Sequence, residues 1–200
     1  LGGDIGVSVP AGGQLVVQMH YHPTGEIESD ITALAVRMTD HPPSKTASME
    51  VFGGVLTDQD ASTRWEDPPF ATPAGEANHV ETWVEELDVP DGVDVRVYAV
   101  FPHMHLAGTD IKMSIERDGE EICLMHNPSW DFEWQLTYMY DGAFDELPQV
   151  LPGDRIRVRC TFNNTSQNPI LSEYMESTAD IGLGEDTFDE MCVGFLGVAY

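Results

Sequence analysis

Positive charge is scarce in this sequence. Nine Lys and Arg stand against 35 Asp and Glu, a formal charge of −26 over 200 residues, and only Lys45 and Lys112 are lysines. Without a basic surface to neutralise phosphates, nucleic-acid binding is excluded. Anionic membrane surfaces are disfavoured for the same reason. Long apolar runs are also missing. None approaches the roughly 18–20 residues of a membrane helix, so no spanning segment is expected. No long run of acids occurs either, so the acids read as the solvated surface of a folded protein. Such a surface fits a saline or extracellular setting, and equally a merely soluble acidic protein. Cysteine is limited to Cys123, Cys160 and Cys192, which allows at most one intrachain disulfide with one thiol left over. No signal peptide is visible, and the first residue is Leu1, so the chain reads as processed or as an excised piece.

What is present is enough to fold. Hydrophobic residues make up 42% of the chain, which excludes wholesale disorder. The length suits one large domain or two small ones. Gly (18) and Pro (13) punctuate short apolar runs that alternate with period two, and no long amphipathic helix appears. The pattern predicts strands over Gln14–Tyr21, Ile31–Met38, Met49–Val55, Val80–Leu87, Val93–Phe101, Ile111–Arg117, Asp131–Tyr140, Arg155–Phe162 and Met191–Val198. Turns at Pro90-Asp91-Gly92, Asp118-Gly119, Asp141-Gly142 and Pro152-Gly153-Asp154 separate several of them. The expected fold is all-β, an antiparallel sandwich or jelly roll. A Pro-rich break at His41-Pro42-Pro43-Ser44-Lys45 marks a boundary. The strands before it are too few to bury a core alone, so they either join the following sandwich or belong to a partner domain.

Two pairs of histidines carry the first chemical signals. In Phe101-Pro102-His103-Met104-His105, both imidazoles can point the same way along a strand and reach one metal. Parity puts them on the face of Val93, Val95, Val97, Ala99 and Phe101. In Met19-His20-Tyr21-His22, the histidines lie opposite the apolar face of Leu15, Val17, Met19 and Tyr21, which suits a cleft or interface. Taken alone, either pair is equally compatible with surface or hydrogen-bonded histidines. Along Arg155–Cys160, the arginines share one face, where they are expected to pair with acids on neighbouring strands, and Cys160 points inward. Trp130, Phe132 and Trp134 read as one aromatic strand face packed in the core. Cys123 reads as a buried structural thiol.

Four separated motifs then form a pattern. His103-Met104-His105-Leu106-x-Gly, Arg159-Cys160, Asp189-Glu190-Met191-Cys192 and Gln18-Met19-His20-Tyr21-His22-Pro23 resemble, in order and approximate spacing, the copper type II, ascorbate-dependent monooxygenases. The resemblance runs from about residue 10 to residue 200. It implies two tandem jelly rolls, each holding a copper and facing a solvent cleft. Residues 1–42 would end the N-terminal copper domain, and residues 45–200 would form the C-terminal one. His103, His105 and Met191 would hold the methionine-containing copper and carry catalysis. His20 would be one ligand of a second, all-histidine copper site. Cys160 and Cys192 would form a family disulfide, leaving Met191 to face the other way. Two imidazoles and a thioether suit copper cycling between oxidation states, whereas zinc rarely takes a thioether. Dioxygen and a small organic substrate would react at the methionine site, with ascorbate as reductant, in a secreted, extracellular or periplasmic setting.

The departures are informative. The family's adjacent His-His pair is absent, and His41, His79 and His126 are scattered. One copper site would therefore be complete here, with the other ligands expected upstream in a missing N-terminal domain, and the chain alone is not expected to turn over. Some family members clamp a substrate carboxylate with Arg, Asn and Tyr at positions that here are Phe101, Val193 and Phe195, which points to a more apolar or aromatic substrate. His22 reads as a surface or supporting residue. Asn163-Asn164-Thr165-Ser166 holds two overlapping glycosylation sequons. Two other readings compete: a non-catalytic copper-binding module on the same fold, and an extracellular adhesion or glycan-binding sandwich with relic metal residues.

Overall fold

Alternating sequence becomes a strand only where a second strand can pair with it. The computed structural model, which describes residues 5–19, 21, 25–54, 64–67, 69–174 and 179–200, shows where that happens. In chain order the elements are β1 (Ile5–Gly6), β2 (Lys45–Gly53), β3 (Ala71–Thr72), β4 (His79–Glu86), β5 (Val95–His103), β6 (Gly108–Arg117), β7 (Glu120–Asn127), β8 (Tyr138–Met139), β9 (Gln149–Val150), β10 (Arg155–Phe162), the single helical turn α1 (Leu171–Tyr174), β11 (Ile181–Gly182) and β12 (Val193–Ala199). One sheet runs β1-β2-β12-β5-β8, with β9 also on β5, and a second runs β4-β10-β6-β7. Apart from the short parallel contact of β1 with β2, the pairings are antiparallel. The fold is the expected β-sandwich.

The core lies between the sheets. Ile156, Val158, Cys160 and Phe162 of β10 face Leu196 and Val198 of β12, together with Trp83, Ile111, Met113 and Ile115. At the centre, Cys160 on one sheet joins Cys192, just before β12, on the other, with the sulfurs 2.01 Å apart. The opposite face of β10 behaves as its parity predicts. Arg157 meets Glu116 at 2.6 Å and Glu66 at 2.9 Å, and Arg155 and Arg159 meet Glu116 and Asp110. The Asp118-Gly119 turn, with both residues at positive φ, links β6 to β7.

Several expectations are corrected. The described parts of Gln14–Tyr21, and all of Ile31–Met38, form no strand, and Leu15, Val16, Tyr21, Ile31 and Leu34 are exposed. These stretches have the right period but no neighbour to share a ladder with. The expected strand Asp131–Tyr140 breaks into a 310 turn at Phe132–Trp134, capped by the Asp131 side chain, followed by the two-residue β8. The three aromatics therefore separate: Trp130 is buried, Phe132 half-buried and Trp134 exposed. Cys123 is a free, exposed thiol rather than a buried one. It pairs across from Ser114 on the outer face, and a bulge beside it leaves Leu124 to turn inward. Asn164 is fully buried and its amide donates to the Thr72 and Ala179 carbonyls, so the second sequon is closed in the folded chain.

Candidate metal centre

A bulge decides which way the first histidine pair faces. Gly197 pairs with Ala99 and Val198 with Val97, so Tyr98 has no partner on β12. The extra residue flips the parity of β5. Val95, Val97, Val100 and Met104 face the core. Phe101 and His103 instead stand on the outer face, where the Phe101 ring lies 5.3 Å from Phe195 and 6.4 Å from His103. The expectation that the histidines continue the face of Val95 and Val97 is thus corrected, because uninterrupted alternation does not anticipate a bulge. Gly197 is what the bulge needs: a Cβ there would sit 2.6 Å from the Tyr98 ring.

His103 and His105 come together with their rings 5.1 Å apart and nearly perpendicular. Each ring is oriented by a carbonyl oxygen. His103 Nδ1 donates to Gln135 Oε1 at 2.6 Å, and Gln135 is itself fixed by donating its Nε2 to the Phe132 carbonyl. His105 Nδ1 donates to the Asp189 carbonyl at 2.9 Å. A carbonyl can only accept, so each contact puts a ring proton on Nδ1, and in the neutral imidazole that leaves the lone pair on Nε2, an arrangement suited to binding a metal. Phe132 stands edge-on to His105 at 6.2 Å. His105 is buried, and His103 is half-buried.

Met191 enters just outside the strand ladder. The ladder ends where β12 pairs Val193 with His103, and Met191 lies two residues before Val193, in the segment that Glu190 bonds to the His105 backbone. Its thioether is not open to solvent as parity suggested, for Met191 is 8% exposed. Glu190 ties the two segments together. Its carboxylate is fully buried and accepts from the backbone N–H of His105 at 2.9 Å, of Met191 at 3.2 Å and of Ala107. Burial pushes its pKa up to about 7, against the opposing effect of those N–H donors. Gly53 admits the same segment from the other side. It has φ +114, and a Cβ there would lie 2.0 Å from the Cys192 carbonyl oxygen.

The remaining candidates lie elsewhere. His20 and His22 are outside the described residues. His79 sits between Glu81 (2.8 Å) and Glu76 (3.5 Å), His126 bonds Asp110 at 2.7 Å, and His41 is exposed beside Asp40. Among the described residues, no group of three or more His, Cys, Asp or Glu could hold a metal ion, and the donors that the sequence motifs bring to this end of the sheet are two imidazoles and the Met191 thioether. That donor set fits copper. Sequence reasoning gave Phe132 a place in a core face and Glu190 only a place in a motif, and assigned neither a role beside the histidines. Nothing in the sequence marked Gln135, which reaches His103 only through the 310 turn.

Comparison with known proteins identifies the family. Residues 84–198 match the family described as copper type II ascorbate-dependent monooxygenase, C-terminal domain. The chain is 26% identical over 189 residues to dopamine beta-hydroxylase of Canis lupus familiaris, covering 91% of this chain and 26% of that protein. It is 30% identical over 118 residues to DBH-like monooxygenase protein 1 of Mus musculus, covering 58% of this chain and 17% of that protein. The Homo sapiens protein of the same name is 31% identical over 112 residues, covering 56% and 16%. The chain thus spans about a quarter or less of the length of these relatives. With the sandwich and the motifs of β5 and β12, the match places this chain in the copper type II ascorbate-dependent monooxygenase family.

Proposed function

We propose that this chain is the oxygen-activating part of a copper-dependent, ascorbate-driven monooxygenase that hydroxylates a carbon centre of a small organic substrate. The observation carrying the proposal is that both imidazoles have their Nδ1 protons engaged by carbonyl oxygens, with the Asp189-Glu190-Met191 segment bonded to His105 through Asp189 and Glu190. His103, His105 and Met191 would hold the metal. Copper bound there would supply one-electron chemistry with dioxygen. Gln135 and Asp189 keep the ring protons on Nδ1, and Glu190 fixes the two ligand-bearing segments relative to each other. Phe101, Val193 and Phe195 give the adjoining wall no charge with which to hold a carboxylate, which supports an apolar or aromatic substrate.

His20 would serve a second, all-histidine site whose other ligands come from outside this sequence. Residues 1–42 would belong to the domain carrying that site, and residues 45–200 would form the C-terminal domain. The exposed apolar residues of 14–38 support that division, whereas β1 (Ile5–Gly6) pairs with β2 at the edge of the sandwich. Turnover would need both sites, so the chain alone would be inactive. The buried disulfide supports an oxidising compartment, secreted or periplasmic. No helix among the described residues is long and apolar enough to cross a membrane.

An anaerobic Cu(I) titration against a competing chelator tests the reading, with the Met191→Ala variant alongside. One tight equivalent that weakens at least tenfold in the variant is expected. Absence of tight copper in the wild type would overturn the site. Tight copper that ignores Met191→Ala would overturn its ligand set.

A further inference from the structure

A cavity of about 600 Å³ opens at the edge of the sandwich, beside β7 and β8. Its size falls within the range of small-molecule sites. Trp130, Trp134, Tyr138 and Tyr140 line it, with Leu124 and Ile170. At its mouth, large apolar side chains are left in water: Trp134 is 62% exposed and Met139 54%. Exposed apolar surface of this kind beside a cavity marks an interaction site. The His pair is not part of its wall.

Five of the polar side chains at the wall are already engaged. His126 bonds Asp110 at 2.7 Å, Asn127 accepts from the Ser129 N–H at 3.1 Å, and Asp131 accepts from the Glu133 N–H at 2.9 Å. The Tyr140 hydroxyl donates to the Leu124 carbonyl at 2.6 Å, and burial pushes its pKa up to about 12, so it stays neutral. The Trp130 indole N–H donates to the His105 carbonyl at 3.1 Å. What such a wall offers a ligand is therefore apolar area and ring faces, the surfaces that take flat aromatic molecules. An anion would meet the Asp131 carboxylate, and Asp131, open to water and already accepting from the Glu133 N–H, offers a cation little.

We infer that this cavity is a binding site for an uncharged, planar aromatic small molecule, separate from the His103 and His105 centre. Its back wall is the loop that reaches that centre, since the segment holding Trp130 and Trp134 also carries Phe132 and Gln135.

Fluorescence titration with the neutral probe N-phenyl-1-naphthylamine tests the inference on the full chain. Saturable one-to-one binding is expected, with affinity reduced roughly tenfold in Trp134→Ala, whose side chain is largely exposed and dispensable for folding. Tyr138→Ala gives a second, independent wall variant, and a thermal melt confirms that each variant is folded. Met191→Ala, at a proposed metal ligand that is not part of the cavity wall, is expected to leave probe binding within about twofold of wild type. Non-saturable binding, or unchanged affinity in both wall variants, would overturn the inference. So would loss of binding in folded Met191→Ala, which would move the probe to the proposed metal centre. Tighter binding of a naphthalenesulfonate or naphthylmethylammonium analogue would overturn the assignment to an uncharged ligand. Displacement of the probe by dimerisation at high protein concentration would give the patch to a second copy instead.

Discussion

The two sheets of the sandwich share a core but present opposite chemistry outward. On the sheet of β4, β10, β6 and β7, the outer face is charged: Arg157, Glu116, Lys112, Glu121, Asp110 and His126 form ion pairs across strands. On the sheet of β2, β12 and β5, the outer face beside the histidine pair is apolar: Val51, Phe195 and Phe101 run across it in register. The first face is what a −26 protein needs to remain solvated and balanced. The second is what an interface or a substrate wall needs. The contrast teaches that His103 stands on the face that is not finished for water, the side on which the proposed metal centre would meet a substrate.

Removing the staple between the two sheets should break this comparison most. Replacing Cys160 and Cys192 with alanine releases a 32-residue link and should lower stability by roughly 3–4 kcal/mol in the chain-entropy model. Denaturant unfolding reads the loss, and an unchanged midpoint would mean that the sheets are held by packing alone. Next comes Glu190→Gln. The amide presents one N–H₂ toward a site where backbone N–H groups of His105, Ala107 and Met191 all donate. Leaving buried donors unmatched should cost about 2–3 kcal/mol. The same change should loosen the Met191 segment, weakening Cu(I) binding while Arg157 and its partners stay paired.

Much of this was legible from alternation. Arg155–Phe162 has a clean period of two, and its inner and outer faces came out as read because strands flank it on both sides. Gln14–Tyr21 has an equally clean period, yet its described residues form no strand, because periodicity specifies a face and not a partner. The histidine pair was legible as a pair but not in its direction. A single unpaired residue, Tyr98, reversed the face, and its cause is a glycine on the neighbouring strand, 99 positions away in sequence. Supporting residues such as Gln135 were illegible for the same reason: they act through contacts that only the folded chain creates.

A smaller effect is expected at the end of the charged sheet. Asp154 is buried, which by itself would raise its pKa. The hydrogen bonds from Arg117 and the Leu151 N–H, with the Arg117 charge, outweigh that and hold it below its ordinary value of 3.8. A carboxyl depressed by folding adds stability above its unfolded value and loses it as pH falls through the folded one. Asp154→Asn should therefore cost about 2 kcal/mol near neutrality and almost nothing well below pH 3.8. Urea unfolding at several pH values checks the sign. A penalty that grows on acidification would show that the pair does not hold the carboxyl down.

The smallest effect separates the two faces by salt. Arg157 bonds Glu116 and Glu66 with about a quarter of its side chain exposed, so Arg157→Ala should cost about 0.5–1 kcal/mol at low ionic strength. Near 1 M salt the Debye length falls to about 3 Å and most of that cost should vanish. Val51→Ala on the apolar face removes area without charge, and its similarly small cost should hold or rise slightly with salt. Thermal melts of both variants across a salt series make the comparison directly. Parallel responses would mean that the ion pairs of the charged face add no electrostatic stability, and that this face differs from the apolar one only in being wettable.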